Sequence, residues 1–89
     1  MEREIVAKKV TEIVEDRLGL ADVEITEESR FKEDLGGDSL DMVDTVMEIE
    51  KEYDLFVSDM EFEEMTYENV TVGRLIELTM RKIEEKGKK

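Results

Sequence analysis

The chain has 89 residues, of which 44% are charged and 39% hydrophobic, with no histidine or cysteine and a net charge of −13. This is enough for a single domain over residues 1–89 with one modest core, and too apolar for wholesale disorder. The missing residue types exclude disulfides, thiolate metal sites, a thiol nucleophile and histidine as base or zinc ligand, while the acidity repels nucleic acid and favours partners presenting lysine and arginine.

The first helix is predicted over about residues 3 to 18, with Val6, Val10, Ile13, Val14 and Leu18 on one face and Gly19 as its stop. A long connection follows, roughly 20 to 37. Its scattered apolar residues Leu20, Val23, Ile25, Phe31 and Leu35 read as a loop pinned to the core, and ordered loops of this length are often functional. Its end, Asp34-Leu35-Gly36-Gly37-Asp38-Ser39-Leu40, is a glycine-softened turn running into a helix start. The calcium-loop pattern fails here: counted from Asp34, the sixth position is Ser39 instead of glycine and the twelfth Thr45 instead of glutamate.

A second helix is predicted from Asp38 or Ser39 to about Tyr53, with Asp38 as N-cap and Asp41 adding negative charge to the first turn. Ser39 therefore lies at or next to the first helical residue, hydroxyl outward, where the backbone N–H groups of the first turn favour negative charge. That geometry suits a serine carrying a phosphate-linked group. It does not suit a nucleophile, because no histidine is present to act as its base.

On a helical wheel Met42, Val46, Ile49 and Tyr53 share one face of this helix, while Leu40, Val43 and Met47 form a second stripe nearly opposite. Asp44, Glu48, Glu50 and Lys51 surround the second stripe. Either the helix is central and buried all round, or this stripe is an exposed docking surface with an acidic rim.

A short third helix is predicted from Ser58, which has capping-box spacing to Glu61. Thr71 reads as the cap of a last helix carrying Val72, Leu75, Ile76, Met80 and Ile83, and the tail 85–89 should fray. The expected fold is all-α: a small bundle of three long helices plus one short helix, with a long loop between the first and second. No apolar run approaches membrane-spanning length and the charged N-terminus is no secretion signal, so a cytoplasmic, non-inserted protein is the default expectation.

The segment Asp34-Leu35-Gly36-Gly37-Asp38-Ser39-Leu40-Asp41, followed by the acidic helix from Val43 to Tyr53, resembles the attachment motif and recognition helix of acyl carrier proteins. The N-terminal helix, the long loop and Val70-Thr71-Val72-Gly73 before the last helix sit where that family would place them. The resemblance implies a non-catalytic carrier. Its Ser39 receives 4′-phosphopantetheine from a transferase that uses coenzyme A, with Asp38 orienting the first turn and meeting the transferase site and its magnesium. It also implies that Leu40, Asp41, Val43, Asp44, Met47 and Glu48 form the surface read by basic-surfaced synthases, acyltransferases and reductases. Phe31, Val46, Ile49, Leu55 and Leu75 are then candidates to line a space for the acyl chain, and a monomer is expected.

The sequence departs from the family between Tyr53 and Val72, a stretch a few residues longer than the family pattern, which concentrates Phe56, Met60, Phe62, Met65 and Tyr67. Ser58 stands near the place of the usual proline, and Lys51 where an acid is frequent. These differences point to unusual cargo and to a specialised lipid or polyketide pathway rather than housekeeping fatty-acid synthesis. Gly36-Gly37 leans toward a peptidyl or aminoacyl carrier, the acidic helix back toward acyl cargo. An unmodified acidic adaptor is the remaining alternative.

Overall fold

A computed structural model describes residues 2–20, 23–67 and 70–87. Four helices follow in order: α1 (Arg3–Leu18), α2 (Ser39–Tyr53), α3 (Asp59–Glu64) and α4 (Val72–Gly87). This is the all-α bundle of three long helices and a short one that the hydrophobic periodicity predicts.

The apolar stripe of α1 is buried: Val6, Val10 and Val14 are fully enclosed, and Ile13 nearly so. Each contributes about 1.5 kcal/mol or more through the area it removes from water. The helix ends as Gly19 turns into the left-handed region at φ 66°, its N–H returning to the Glu15 carbonyl. α1 packs against both α2 and α4. α4 contributes Val72, Leu75, Ile76 and Leu78 to the same core.

The long loop is pinned as expected, by side chains and by backbone. Phe31 is fully buried and Leu35 almost so, with Leu20 and Ile25 packed against the core, whereas Val23 is exposed and takes no part in it. The loop's carbonyls of Ser29 and Glu27 accept the N–H groups of Val72 and Gly73, both at 2.9 Å. These donors belong to the first turn of α4 and have no partner inside their own helix, so loop and helix satisfy each other. Phe31 N–H in turn donates to Val70 O at 2.9 Å, and an isolated antiparallel bridge pairs Arg30 with Thr71. Thr71, the expected cap, accepts the Arg74 N–H at 3.2 Å. Arg3 grips the loop's Glu27 through two hydrogen bonds of 2.7 Å.

α3 is held differently, because none of its own residues is buried. Ser58 and Glu61 form the capping box, the serine hydroxyl accepting the Glu61 N–H at 3.2 Å and the carboxylate accepting the Ser58 N–H at 2.9 Å. Val57 before the cap is buried and Phe62 is half-buried against the core, the positions of a hydrophobic staple. Met65, just past the helix, is 1% exposed. Lys82 of α4 reaches both Glu61 oxygens at 3.0 and 3.2 Å, and Lys32 of the loop donates to Thr66 O at 2.7 Å.

α4 stays helical to Gly87, past the point where fraying is expected; Lys86 there donates to the Tyr53 carbonyl at 3.0 Å and ties the last turn to the end of α2. Lys88 and Lys89 lie outside the described residues.

Candidate functional site

The serine-bearing turn is built by its glycines. The chain winds through a tight turn in which Asp34 and Leu35 N–H groups return to the Arg30 carbonyl and Gly36 N–H to Lys32 O. Gly36 then takes φ 76°, a left-handed conformation that a side chain would strain. Gly37 is buried on the Phe31 ring: its N–H donates to Phe31 O at 2.9 Å, and a Cβ placed there would overlap the ring. One glycine sets the backbone direction and the other sets how closely the turn sits on the core.

Arg30 braces the turn from outside. Its backbone N–H donates to Asp34 Oδ2 at 2.8 Å, and its guanidinium contacts the same carboxylate at 3.2 Å. The guanidinium hydrogen bond, seconded by the backbone N–H, lowers the Asp34 pKa below the usual carboxylate range.

Asp38 is the N-cap of α2, and Ser39 its first residue. The Asp38 carboxylate accepts the Asp41 N–H at 2.9 Å, while the Asp41 carboxylate accepts the Asp38 N–H at 3.0 Å. Asp41 thus closes a reciprocal capping box rather than merely adding charge, a role hidden in the sequence because the usual residue there is Glu or Gln. The Asp38 carboxyl is held below its ordinary pKa, first by the Asp41 N–H and also by that of Leu40. Of the first-turn donors expected to favour an outside anion, the Asp41 N–H is already answered by Asp38. An anion at Ser39 finds a favourable helix end in which the Asp41 N–H is already taken. Ser39 itself is exposed, and its hydroxyl has no hydrogen-bond partner among the described residues.

α2 separates its two stripes. Met42, Val46 and Ile49 are buried in the core and Tyr53 is half-buried. Leu40 and Met47 are 74% and 53% exposed, with Val43 half-buried between them. The stripe beside Ser39 is a surface, and the fully buried alternative is excluded. Asp44 and Glu48 are exposed along it; Asp44 stands 3.8 Å from the Arg17 guanidinium of α1, too loose and too open a pair to neutralise it. Glu50 turns aside, accepting the Val57 N–H at 2.8 Å. Sequence reasoning missed Thr45, which is fully buried on the inner face with its hydroxyl donating to the Asp41 carbonyl at 2.8 Å. Helical periodicity marks the position, three residues after Met42 and four before Ile49, but the polar residue type hides it.

Of the residues considered for an acyl-lining role, Phe31, Val46, Ile49 and Leu75 lie together in the closed core, and Leu55 is half-buried at its edge. Leu55 shares a surface cleft with Phe56, Lys82 and Lys86. Among the described residues no cluster of acids is arranged to hold a metal ion, and no helix is long and apolar enough to cross a membrane.

The matching family model, described as a phosphopantetheine attachment site, covers residues 8–79. An acyl carrier protein of Rubrobacter xylanophilus is 40% identical over 77 residues, spanning 86% of this chain and 95% of that protein. The chain belongs to the acyl carrier protein family. The crystal structure of an acyl carrier protein from Thermotoga maritima matches the fold of this carrier with a TM-score of 0.77 at 36% identity, over 96% of this chain and 94% of the other. The prosthetic group of the family is 4′-phosphopantetheine, and an exposed, unpartnered hydroxyl at the favourable end of a helix is a fitting anchor for its phosphodiester.

Proposed function

We propose that this acyl carrier bears 4′-phosphopantetheine on Ser39 and ferries acyl intermediates, as thioesters on that arm, between enzymes of fatty acid, lipid or polyketide synthesis. It catalyses nothing itself. When bound, the arm supplies the one thiol that a cysteine-free chain lacks. The observation that carries the reading is the juxtaposition on α2 of a solvent-facing Ser39 with the bare Leu40–Val43–Met47 stripe and its acidic neighbours Asp44 and Glu48.

Each residue has a physical task in this scheme. Asp38 and Asp41 lock the first turn, so that the Ser39 hydroxyl is presented in one direction to an incoming transferase. With the Asp41 N–H taken by Asp38, the phosphate is retained chiefly by its covalent bond. Leu40 and Met47 offer apolar area for docking, and the surrounding carboxylates steer enzymes whose entrances are lined with lysine and arginine. The closed packing of Phe31, Val46, Ile49 and Leu75 requires the helices to part before an acyl chain can enter between them. Lys51, exposed near the end of α2, adds one positive charge to a surface otherwise read by basic partners, and supports a pathway with its own dedicated enzymes.

Intact mass spectrometry after incubation with coenzyme A and a broad-specificity phosphopantetheinyl transferase tests this. The wild-type chain gains the mass of one arm and Ser39→Ala gains none. A gain that survives the substitution overturns the assignment of Ser39. No gain in the wild type favours the unmodified adaptor instead.

A further inference from the structure

We infer that the Met47 thioether is a reversible oxidation site, and that a peroxide acting there switches off docking at the surface beside Ser39. The inference rests on the carrier reading of that surface, and its test separates the two.

The chain has six methionines and no cysteine, so its own sulfur is all thioether. The fold sorts these side chains by access. Met42 and Met65 are 0% and 1% exposed and Met80 is half-buried against the core, whereas Met47 and Met60 are 53% and 77% exposed. A peroxide must touch the sulfur it oxidises, so the enclosed pair is shielded while the native fold holds. Of the two open side chains, Met47 shares a helix with Ser39, about two turns along it, in the stripe with Leu40 and Val43.

The chemistry needs only the peroxide as co-reactant. A sulfur lone pair attacks the terminal oxygen of hydrogen peroxide or an organic hydroperoxide, and the O–O bond breaks. The attacked oxygen stays on sulfur, its proton passes to the departing oxygen, and water or an alcohol leaves. The thioether gives up two electrons and becomes a sulfoxide; the peroxide takes them. Sulfoxide reductases reverse the change.

What changes is the surface. An adaptable apolar side chain acquires a strong hydrogen-bond acceptor at the place where a partner removes water. Asp44 and Glu48 beside it are exposed acceptors themselves and offer the new oxygen no donor. A partner that meets Met47 with an apolar patch therefore buries an unpaired acceptor, which opposes binding. Lys51, one helical turn further on, is exposed, and its ammonium has no partner among the described residues. It gives the oxygen a donor in the free carrier, and so favours the undocked state.

The test uses the chain without its arm, so that no thiol competes for the oxidant, in a Met60→Leu background. Hydrogen peroxide is titrated to one added oxygen per chain, and peptide mapping by mass spectrometry locates it. Oxygen should enter at Met47 ahead of Met42, Met65 and Met80, and the species oxidised at Met47 is isolated. Its unfolding temperature should stay within about a degree of the untreated chain. For this species the KM of a broad-specificity phosphopantetheinyl transferase should rise roughly tenfold, with kcat within about twofold. Treatment with the two methionine sulfoxide reductases, one per epimer, should restore the original KM. Met47→Leu/Met60→Leu should show the same KM before and after peroxide. An unchanged KM on oxidation of Met47 overturns the inference, and so does an equal rise in the Met47→Leu chain, since another site would then be acting. Entry of oxygen at Met42 or Met65 first, a fall of several degrees in unfolding temperature, or a KM that the reductases do not restore also overturns it. Failure of the carrier reading is separate, because the unoxidised chain then gains no arm at all.

Discussion

α2 and α3 are neighbours in sequence, yet they are held in place by different forces. α2 buries four residues of its own, Met42, Thr45, Val46 and Ile49, and its position follows from packing. α3 buries none and is placed by a capping box, a lysine and the buried residues that flank it. Packing tolerates changes of pH and salt; polar clamps do not. The lesson is that the element bearing Ser39 is rigid by construction, whereas the element beside it is rigid only while its hydrogen bonds and charges are in order.

The largest effect that would break this comparison is a core truncation in α2. Met42→Ala should cost about 2–5 kcal/mol in urea denaturation, while Met47→Ala, on the outer stripe of the same helix, should stay within about 0.5 kcal/mol. Equal losses would mean that the outer stripe is packed as well. Next in size is Gly37→Ala, which should cost about 1–3 kcal/mol because its methyl group meets the Phe31 ring. Its side effect is informative: arm attachment at Ser39 should slow even at temperatures where the variant is fully folded, since the turn is pushed off the core.

The smallest effect belongs to α3. Ser58→Ala should cost about 1 kcal/mol, and hydrogen exchange should show the loss in α3 while α2 keeps its protection. The pH dependence sharpens the same point. The Ser58 N–H, followed by Lys82, holds the Glu61 pKa below its usual 4.5. A lowered carboxyl pKa contributes stability that is complete above the unfolded value and is lost as pH falls through the folded one. Lys82, raised from its usual 10.5 chiefly by Glu61, contributes fully below that value and loses its share as pH climbs through the raised one. α3 should therefore open locally at both extremes of pH before α2 does, as amide exchange measured across pH would show.

The parts of the fold governed by local rules were legible from the sequence. The ends of α1 at Arg3 and Leu18, the Asp38 cap of α2, the Ser58 capping box and the Thr71 cap depend on residues a turn apart. The placement of Ser39 at a helix start is local in the same sense. What depends on distant partners was not legible. Val23 has the composition of a core residue but no surface to meet, and Phe56, Met60 and Tyr67 face outward because Val57 and Met65 already fill the space beneath α3. Buried Thr45 and Thr79 fall on the apolar faces by spacing but are polar by type, and each can be buried because its hydroxyl donates to a carbonyl of its own helix. Asp41 was seen as a charge and proved to be half of a cap, because only the folded turn brings its carboxylate onto the Asp38 N–H.

The bonds from Val72 and Gly73 to the carbonyls of Ser29 and Glu27 have a consequence in time as well as in space. They join stretches far apart along the chain, and contacts of that kind form only after a large loop has closed. On a ribosome, α1 and α2 emerge early, but the turn that aims Ser39 has no fixed floor until the start of α4 has followed. A nascent chain stopped before Val72 should thus carry its attachment serine without presenting it, which defers modification until the domain is nearly complete.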